Sequence, residues 1–214
     1  MLLKKELFLL ALFMAFFNAQ TLHAQEQEIE VYYGALGAGA YSVEYTESRP
    51  TGGLSVKKSA VPAGLLKVGV DAQLWGAELR LGLMGSATSN QFSAGTLGSA
   101  TAFTIDLQAS PFFSYLGKLQ YPFTDHFKAY ILLGGTMANF SIKPSGTNVL
   151  LNSSAIKTGF TYGLGIAYKP NRDFSVEMEW IKYWTNVDMS LTTAGRSRAS
   201  FGGFGLSVNK LFDF

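Results

Sequence analysis

Glu177 and Glu179 stand two residues apart, and in an extended chain that spacing puts both carboxylates on one face. Paired carboxylates do acid–base work or hold cations, so they are the first candidates for chemistry. Five further charged residues are candidates to meet them: Lys67, Asp71, Glu78, Arg80 and Lys118. Buried carboxylates and cations at one level should pair, since an unpaired buried charge is strongly destabilising. Nothing else in the sequence suggests a bound sugar or peptide, so catalysis by the two glutamates is not expected. His126 is the only histidine after residue 24, and it lies in Thr124-Asp125-His126, which reads as a short turn. There are no cysteines, and no His or carboxylate pair recurs at ligand spacing, so no metal site is expected. The glycines from Gly34 to Gly39 lack the following helix that a nucleotide loop needs. The expectation is therefore no enzyme, no cofactor and no metal.

The elements that would carry those charges alternate with a period of two. Val68, Val70 and Ala72 alternate with Lys67, Gly69, Asp71 and Gln73, and Leu79, Leu81 and Leu83 with Glu78, Arg80 and Gly82. Between 103 and 121 the odd positions Phe103, Ile105, Leu107, Ala109, Phe113, Tyr115, Leu119 and Tyr121 are apolar. Residues 156–168 do the same through Ile156, Phe160, Tyr162, Leu164, Ile166 and Tyr168. Alternation of this kind belongs to strands with one apolar and one polar face. A soluble sandwich also alternates, but here the polar face carries many glycines and ion-pairable residues, which would pack poorly against a second sheet. Aromatic residues also gather where the apolar face ends. Trp75, Tyr121, Phe123, Tyr168 and Phe174 flank the short turns, while Tyr41, Tyr45, Phe103, Phe140 and Trp184 lie near the long connections. Two such girdles mark a strand barrel in a membrane.

The N-terminus carries an export signal. Lys4 and Lys5 precede an apolar run from Leu7 to Phe17, and Leu22-His23-Ala24 ends in a small residue before Gln25. This three-part layout predicts a cleaved signal peptide over 1–24 and a barrel domain over 25–214. After that run no apolar stretch is long enough for a membrane helix. A net charge of +2 without a basic stripe argues against nucleic acid as a partner.

Eight strands are predicted at about 30–45, 63–75, 77–88, 103–122, 127–142, 156–169, 174–188 and 199–214. Short turns are predicted at Gly76, Thr124–His126 and Pro170–Asp173, and longer loops between the other strands. The expected fold class is all-β: an eight-stranded antiparallel up-and-down transmembrane β-barrel. Pro111 predicts a bulge in the fourth strand, because its ring removes a ladder donor. Lys182 predicts either a lipid-facing charge or a bulge near Ile181 in the seventh.

The chain resembles the small eight-stranded outer-membrane barrels, the OmpA-like transmembrane domain and its short relatives of the OmpX, Ail and opacity type. The resemblance rests on the signal peptide, the eight alternating strands, the pairs Gly37–Gly39, Gly163–Gly165 and Gly203–Gly205, and the terminal Phe214. It implies the outer membrane of a Gram-negative cell, with short turns toward the periplasm and no periplasmic domain after Phe214. It also implies that the last strand, with Leu206, Val208, Phe212 and Phe214, is read by the barrel-assembly machinery. Asn209 stands where a glycine is usual in that strand, and Lys210 interrupts its outward face.

A barrel of eight strands has a lumen that side chains can fill. Lys67, Asp71, Glu78, Arg80, Lys118, Glu177 and Glu179 would face it, either as an ion-pair plug or as the lining of a narrow polar path for small hydrophilic or amphipathic solutes. The plug is the main expectation, because a buried charge demands a partner. In the outer loops Arg49, Lys57, Lys58, Lys143, Arg196 and Arg198 oppose only Glu47 and Asp188. That basic patch is expected to meet lipopolysaccharide phosphates or an anionic host or surface ligand. The Leu150-Leu151 pair reads as a contact point or as loop packing.

Overall fold

The computed structural model describes residues 31–50, 52–146, 150, 152–189 and 195–212. The expected signal peptide, Leu151 and Phe214 lie outside the described residues. Among the described residues nine antiparallel strands form one sheet: β1 (Val31–Arg49), β2 (Gly52–Asp71), β3 (Trp75–Met84), β4 (Ala87–Thr88), β5 (Thr104–Pro122), β6 (Phe127–Ser145), β7 (Ser153–Tyr168), β8 (Phe174–Asp188) and β9 (Arg196–Phe212). Eight are long, and β4 is a two-residue bridge onto β5. β1 pairs with β9 and β3 pairs with β5, so the ladder of long strands returns on itself. A ring of pairings is the arrangement that leaves no sheet edge in hydrocarbon.

Side-chain caps build two of the short turns. Asn171 Oδ1 accepts hydrogen bonds from the Asp173 and Phe174 amides at 3.0 and 2.9 Å. Thr124 Oγ1 accepts from the His126 and Phe127 amides at 3.3 and 3.0 Å. Both are side-chain turns in which a short polar residue replaces a backbone acceptor. The first short turn falls at 72–74, closed by the Ala72 amide donating to the Trp75 carbonyl at 2.8 Å. Gly76, expected in that turn, is the second residue of β3. These turns share one end of the barrel, the turn end, with Val31 and Phe212. The opposite end is the loop end.

The wall changes character along its length. In the half nearest the turns Leu36, Leu66, Leu79, Tyr115, Ile131, Leu164, Met178 and Leu206 point outward and are exposed, one from each long strand. The band runs from Phe127 to Met137 on β6 and from Phe212 to Phe204 on β9, about the ten residues that a tilted strand needs to cross a bilayer. Toward the loop end the pattern inverts. Ser42, Glu44, Asp106, Gln108, Ser141, Lys143, Arg198 and Ser200 now point outward. Tyr41, Val43, Tyr45, Ile105, Leu107, Phe140, Ile142 and Phe201 point inward and are fully buried. The upper half is therefore a polar-walled collar around an apolar core, continuous with an apolar-walled barrel around a polar one.

This inversion corrects two expectations. Phe103, Ile105, Leu107 and Ala109 do not face lipid but lie inside the collar. The strand is apolar at odd positions throughout, but a bulge between Ala109 and Phe112, at Pro111, shifts its register and swaps its faces. Tyr41, Tyr45, Phe103, Phe140 and Trp184 likewise form no outer girdle, being at most 1% exposed. The girdle at the turn end stands, with Trp75, Tyr121, Phe123, Tyr168 and Phe174 all exposed. Further irregularities fall between Tyr41 and Val43 opposite the left-handed Ala60 of β2 (φ 59°), and between Lys182 and Val187 in β8. Lys182 keeps its outward position below that bulge.

Candidate functional site

The lumen of the lower half is built from residues whose spacing on β2, β3, β5 and β8 turns them inward. Lys67 and Asp71 come from β2, Glu78 and Arg80 from β3, Lys118 from β5, and Glu177 and Glu179 from β8. All seven converge. Lys118 Nζ lies 2.7 Å from Glu177 and 3.5 Å from Asp71. Lys67 Nζ bridges Glu177 at 3.3 Å and Glu179 at 3.2 Å. Arg80 places both terminal nitrogens on Glu179, Nη2 at 2.8 Å, and its Nε on Glu78. Three cations thus meet three buried carboxylates, and Asp71 sits nearer the mouth with its side chain 18% exposed.

Phenols and hydroxyls complete the network. Tyr33 donates to Glu78 at 2.6 Å and Tyr130 to Glu179 at 3.3 Å. Arg80 Nη1 reaches the Tyr183 hydroxyl at 3.3 Å, and Ser207 donates to Glu177 at 3.5 Å. Lys118 Nζ stands 4.5 Å from the Tyr130 ring centroid and 5.3 Å from that of Tyr33. Reasoning from charged residues alone missed these tyrosines. Same-face spacing was the available signal, since Tyr183 lies four residues beyond Glu179 on β8.

A second layer closes the lumen above the ions. Tyr183 packs on Phe112 at 4.8 Å and on Phe201 at 5.4 Å between ring centroids, and Trp184 meets Phe201 at 5.3 Å. Tyr45 and Trp184 both stack on Phe140 at 6.2 Å. Offset and edge-on rings of this kind add to the burial of their area. Glycine makes the closeness of the rings to the wall feasible. A Cβ at Gly82 would lie 2.0 Å from Phe112 Cζ, and one at Gly159 would lie 2.7 Å from Trp184 Cδ1. The Trp184 indole donates to the Thr136 carbonyl at 2.8 Å, so its polar edge is satisfied while its faces stay dry.

At the loop end the structure corrects the basic patch. Arg49, Lys57, Lys58, Lys143, Arg196 and Arg198 all lie on strands rather than in loops, because β1, β2, β6 and β9 run beyond the apolar band. Carboxylates accompany most of them. Lys57 faces Glu44 in register, Lys143 faces Asp106 and Arg198 faces Asp188, while Arg49 pairs with Glu47. Lys58 donates to Asn90 Oδ1 at 2.8 Å. Glu44 and Asp106 lie on β1 and β5, outside the segments expected to be loops, so a charge balance over loops alone does not include them. Burial and the Glu47 carboxylate push the Tyr45 hydroxyl above its ordinary range, which keeps it a donor to Glu47. Leu150 is buried against the collar core, which favours packing over contact.

The last strand fits the wall. Phe212 is exposed at the turn end and Asn209 is buried, donating to Ser175 Oγ at 3.0 Å. Lys210 turns its ammonium to Asp173 at 3.6 Å and lies 4.6 Å from the Phe174 ring centroid. His126 is exposed in its turn, its Nδ1 3.0 Å from the Lys169 carbonyl.

Comparison with known proteins places this architecture. No curated protein matches the sequence. Among solved structures, the outer membrane protease OmpT of Escherichia coli superposes with a TM-score of 0.50 at 8% identity, over 89% of this chain and 99% of its own. Neisserial surface protein A gives 0.47 at 12% identity, over 83% and 96%. Ail, the attachment invasion locus protein of Yersinia pestis, solved with the heparin analogue sucrose octasulfate, gives 0.44 at 16% identity, over 86% and 100%. At such identities the likeness concerns fold alone. The model of one family, described as the outer membrane protein beta-barrel domain, matches residues 8–212, and the chain belongs to that family.

Proposed function

We propose that this outer-membrane barrel is a non-conducting, non-enzymatic anchor that holds a rigid polar collar outside the cell, serving envelope integrity or surface interaction. The observation that carries the reading is the doubly filled lumen. The ion layer ties every buried carboxylate to a cation, and the ring layer lies directly above it. Glu177 and Glu179, the best candidates for catalysis, are held by Lys67, Arg80 and Lys118, which leaves them poorly suited to proton transfer. Short turns face the periplasm in barrels of this type, so the collar stands outward. Its outward cations Lys57, Lys143, Arg196 and Arg198 are placed above the lipid band, where they would meet lipopolysaccharide phosphates or another anionic surface ligand. The C-terminal strand would serve as the signal for barrel assembly, and residues 1–24 as the export signal.

The test is single-channel conductance of the refolded protein in a planar bilayer, with heat-modifiable migration as the control for folding. A folded barrel that stays silent supports the anchor. Steady openings overturn it in favour of a narrow channel for small hydrophilic or amphipathic solutes, with Glu78, Arg80 and Lys118 as its gate.

A further inference from the structure

The collar is not paired all the way round. β7 and β8 are in register only from Tyr162 opposite Lys182 to Tyr168 opposite Val176. Above that level β8 bulges between Lys182 and Val187 and continues with β9, while β7 runs on beside β6 as far as Ser153. Among the described residues no strand pairs with the β8-facing edge of Ser154–Phe160. Exposure agrees. On β1, β5 and β6 the inward residues of the collar are fully buried, whereas Ala155, Lys157 and Gly159 of β7 are only half-buried. The outer face of this stretch is exposed and its inner face only partly covered, at Ala155 by the collar core and at Gly159 by Trp184 and Val187.

Two side chains give the edge a chemistry. Ile156 points outward and is 67% exposed, level with Asn139 of β6, above the apolar band. Lys157 points the other way and makes no ion pair among the described residues. Lys182 stands at the foot of the gap, its ammonium 3.4 Å from the Ser200 hydroxyl. An exposed edge invites another extended chain; a lysine on it blunts such pairing in general, and least against an acidic partner whose carboxylate can pair with the ammonium. We propose that the β7 edge from Ser154 to Phe160 is a docking site for an extended acidic segment of another protein, which adds to the sheet as a strand, places a carboxylate by Lys157 and covers Ile156.

Other occupants fit less well. The described chain begins at Val31, at the turn end, so whatever precedes it is tethered at the end opposite this edge. A second copy in the same membrane would offer its own β7 running in the same sense but tilted the opposite way. Tilts of roughly 40° would then cross the two strands at a steep angle instead of aligning them. Strand addition by a segment from outside needs only main-chain hydrogen bonds for affinity and alternate side chains for selectivity.

The experiment uses the full refolded barrel in lipid nanodiscs and a synthetic octapeptide alternating Val and Glu. Without peptide, hydrogen exchange should show the β8-facing amides between Ser154 and Phe160 exchanging freely, while those from Tyr162 to Tyr168 are protected. The peptide should slow the former at least about tenfold, as new ladder bonds form. The same peptide with alternate backbone nitrogens methylated should have no effect, and neither should a Val/Lys version. Ile156→Asp and Lys157→Glu, both at exposed or half-exposed positions, should each weaken binding without loss of heat-modifiable folding. Protection of 154–160 before any peptide is added would overturn the proposal, because the chain would already cover its own edge. So would an unmodified peptide that leaves exchange unchanged, or equal effects from the methylated one.

Discussion

Arg80 is the single side chain on which the lower lumen most depends. It holds Glu78 through Nε and Glu179 through both terminal nitrogens, a planar fork that a lysine cannot reproduce. Removing it leaves Glu78 without a cation and Glu179 with Lys67 alone, in a dry interior where breaking a buried pair costs on the order of 3–5 kcal/mol. Arg80→Met should therefore lower the denaturant midpoint of the barrel in micelles sharply, with Arg80→Lys in between. The triple variant Glu78→Gln/Arg80→Met/Glu179→Gln should recover most of that loss, because Lys67 and Lys118 keep Glu177 and Asp71 as partners. Equal damage from the single and the triple change would mean that shape matters here and charge does not. The exposed Lys210–Asp173 pair is the contrast, since such pairs contribute at most about 1 kcal/mol. Lys210→Gln should leave the midpoint almost unmoved.

β5 shows what the sequence makes legible and what it hides. Its odd positions are apolar from Phe103 to Tyr121, so a period of two reads as one uninterrupted lipid-facing stripe. Parity is a correct guide on each side of Pro111 but fails across it, because the bulge inserts half a period without altering the composition. The lumen charges were legible since all seven lie in the lower half, where parity counts from well-marked turns. The collar was not, because the same residue types, Tyr, Phe, Ile and Leu, serve a dry core as well as a lipid face. Cysteine scanning separates the two, as the chain has no cysteine of its own. In the folded protein in lipid, Asp106→Cys should react with a water-soluble maleimide, whereas Leu107→Cys and Leu119→Cys should not. A stripe without the bulge would instead put position 106 in the lumen and leave it unreactive.

Over the whole molecule the two layers of filling act in series. Ions that pass the lower layer still meet Phe112, Tyr183, Trp184 and Phe201 above it. Glu78→Ala combined with Arg80→Ala should therefore stay electrically silent, and conductance should appear only when Phe112→Ala and Tyr183→Ala are added. Leak from the first pair alone would show that the rings part readily. The inversion of the wall from apolar to polar has a further result. Because the outward face turns from apolar to polar at a similar level round the wall, through bulges on β2, β5 and β8 and through a change of residue type alone on β1, β6 and β9, the protein has a fixed waterline. It cannot ride higher or lower in its membrane without wetting leucines or drowning lysines. A bilayer of the wrong thickness must therefore bend to meet it, at a cost of a fraction of a kcal/mol for each ångström. Such a barrel is expected to gather where the leaflets already match its draught.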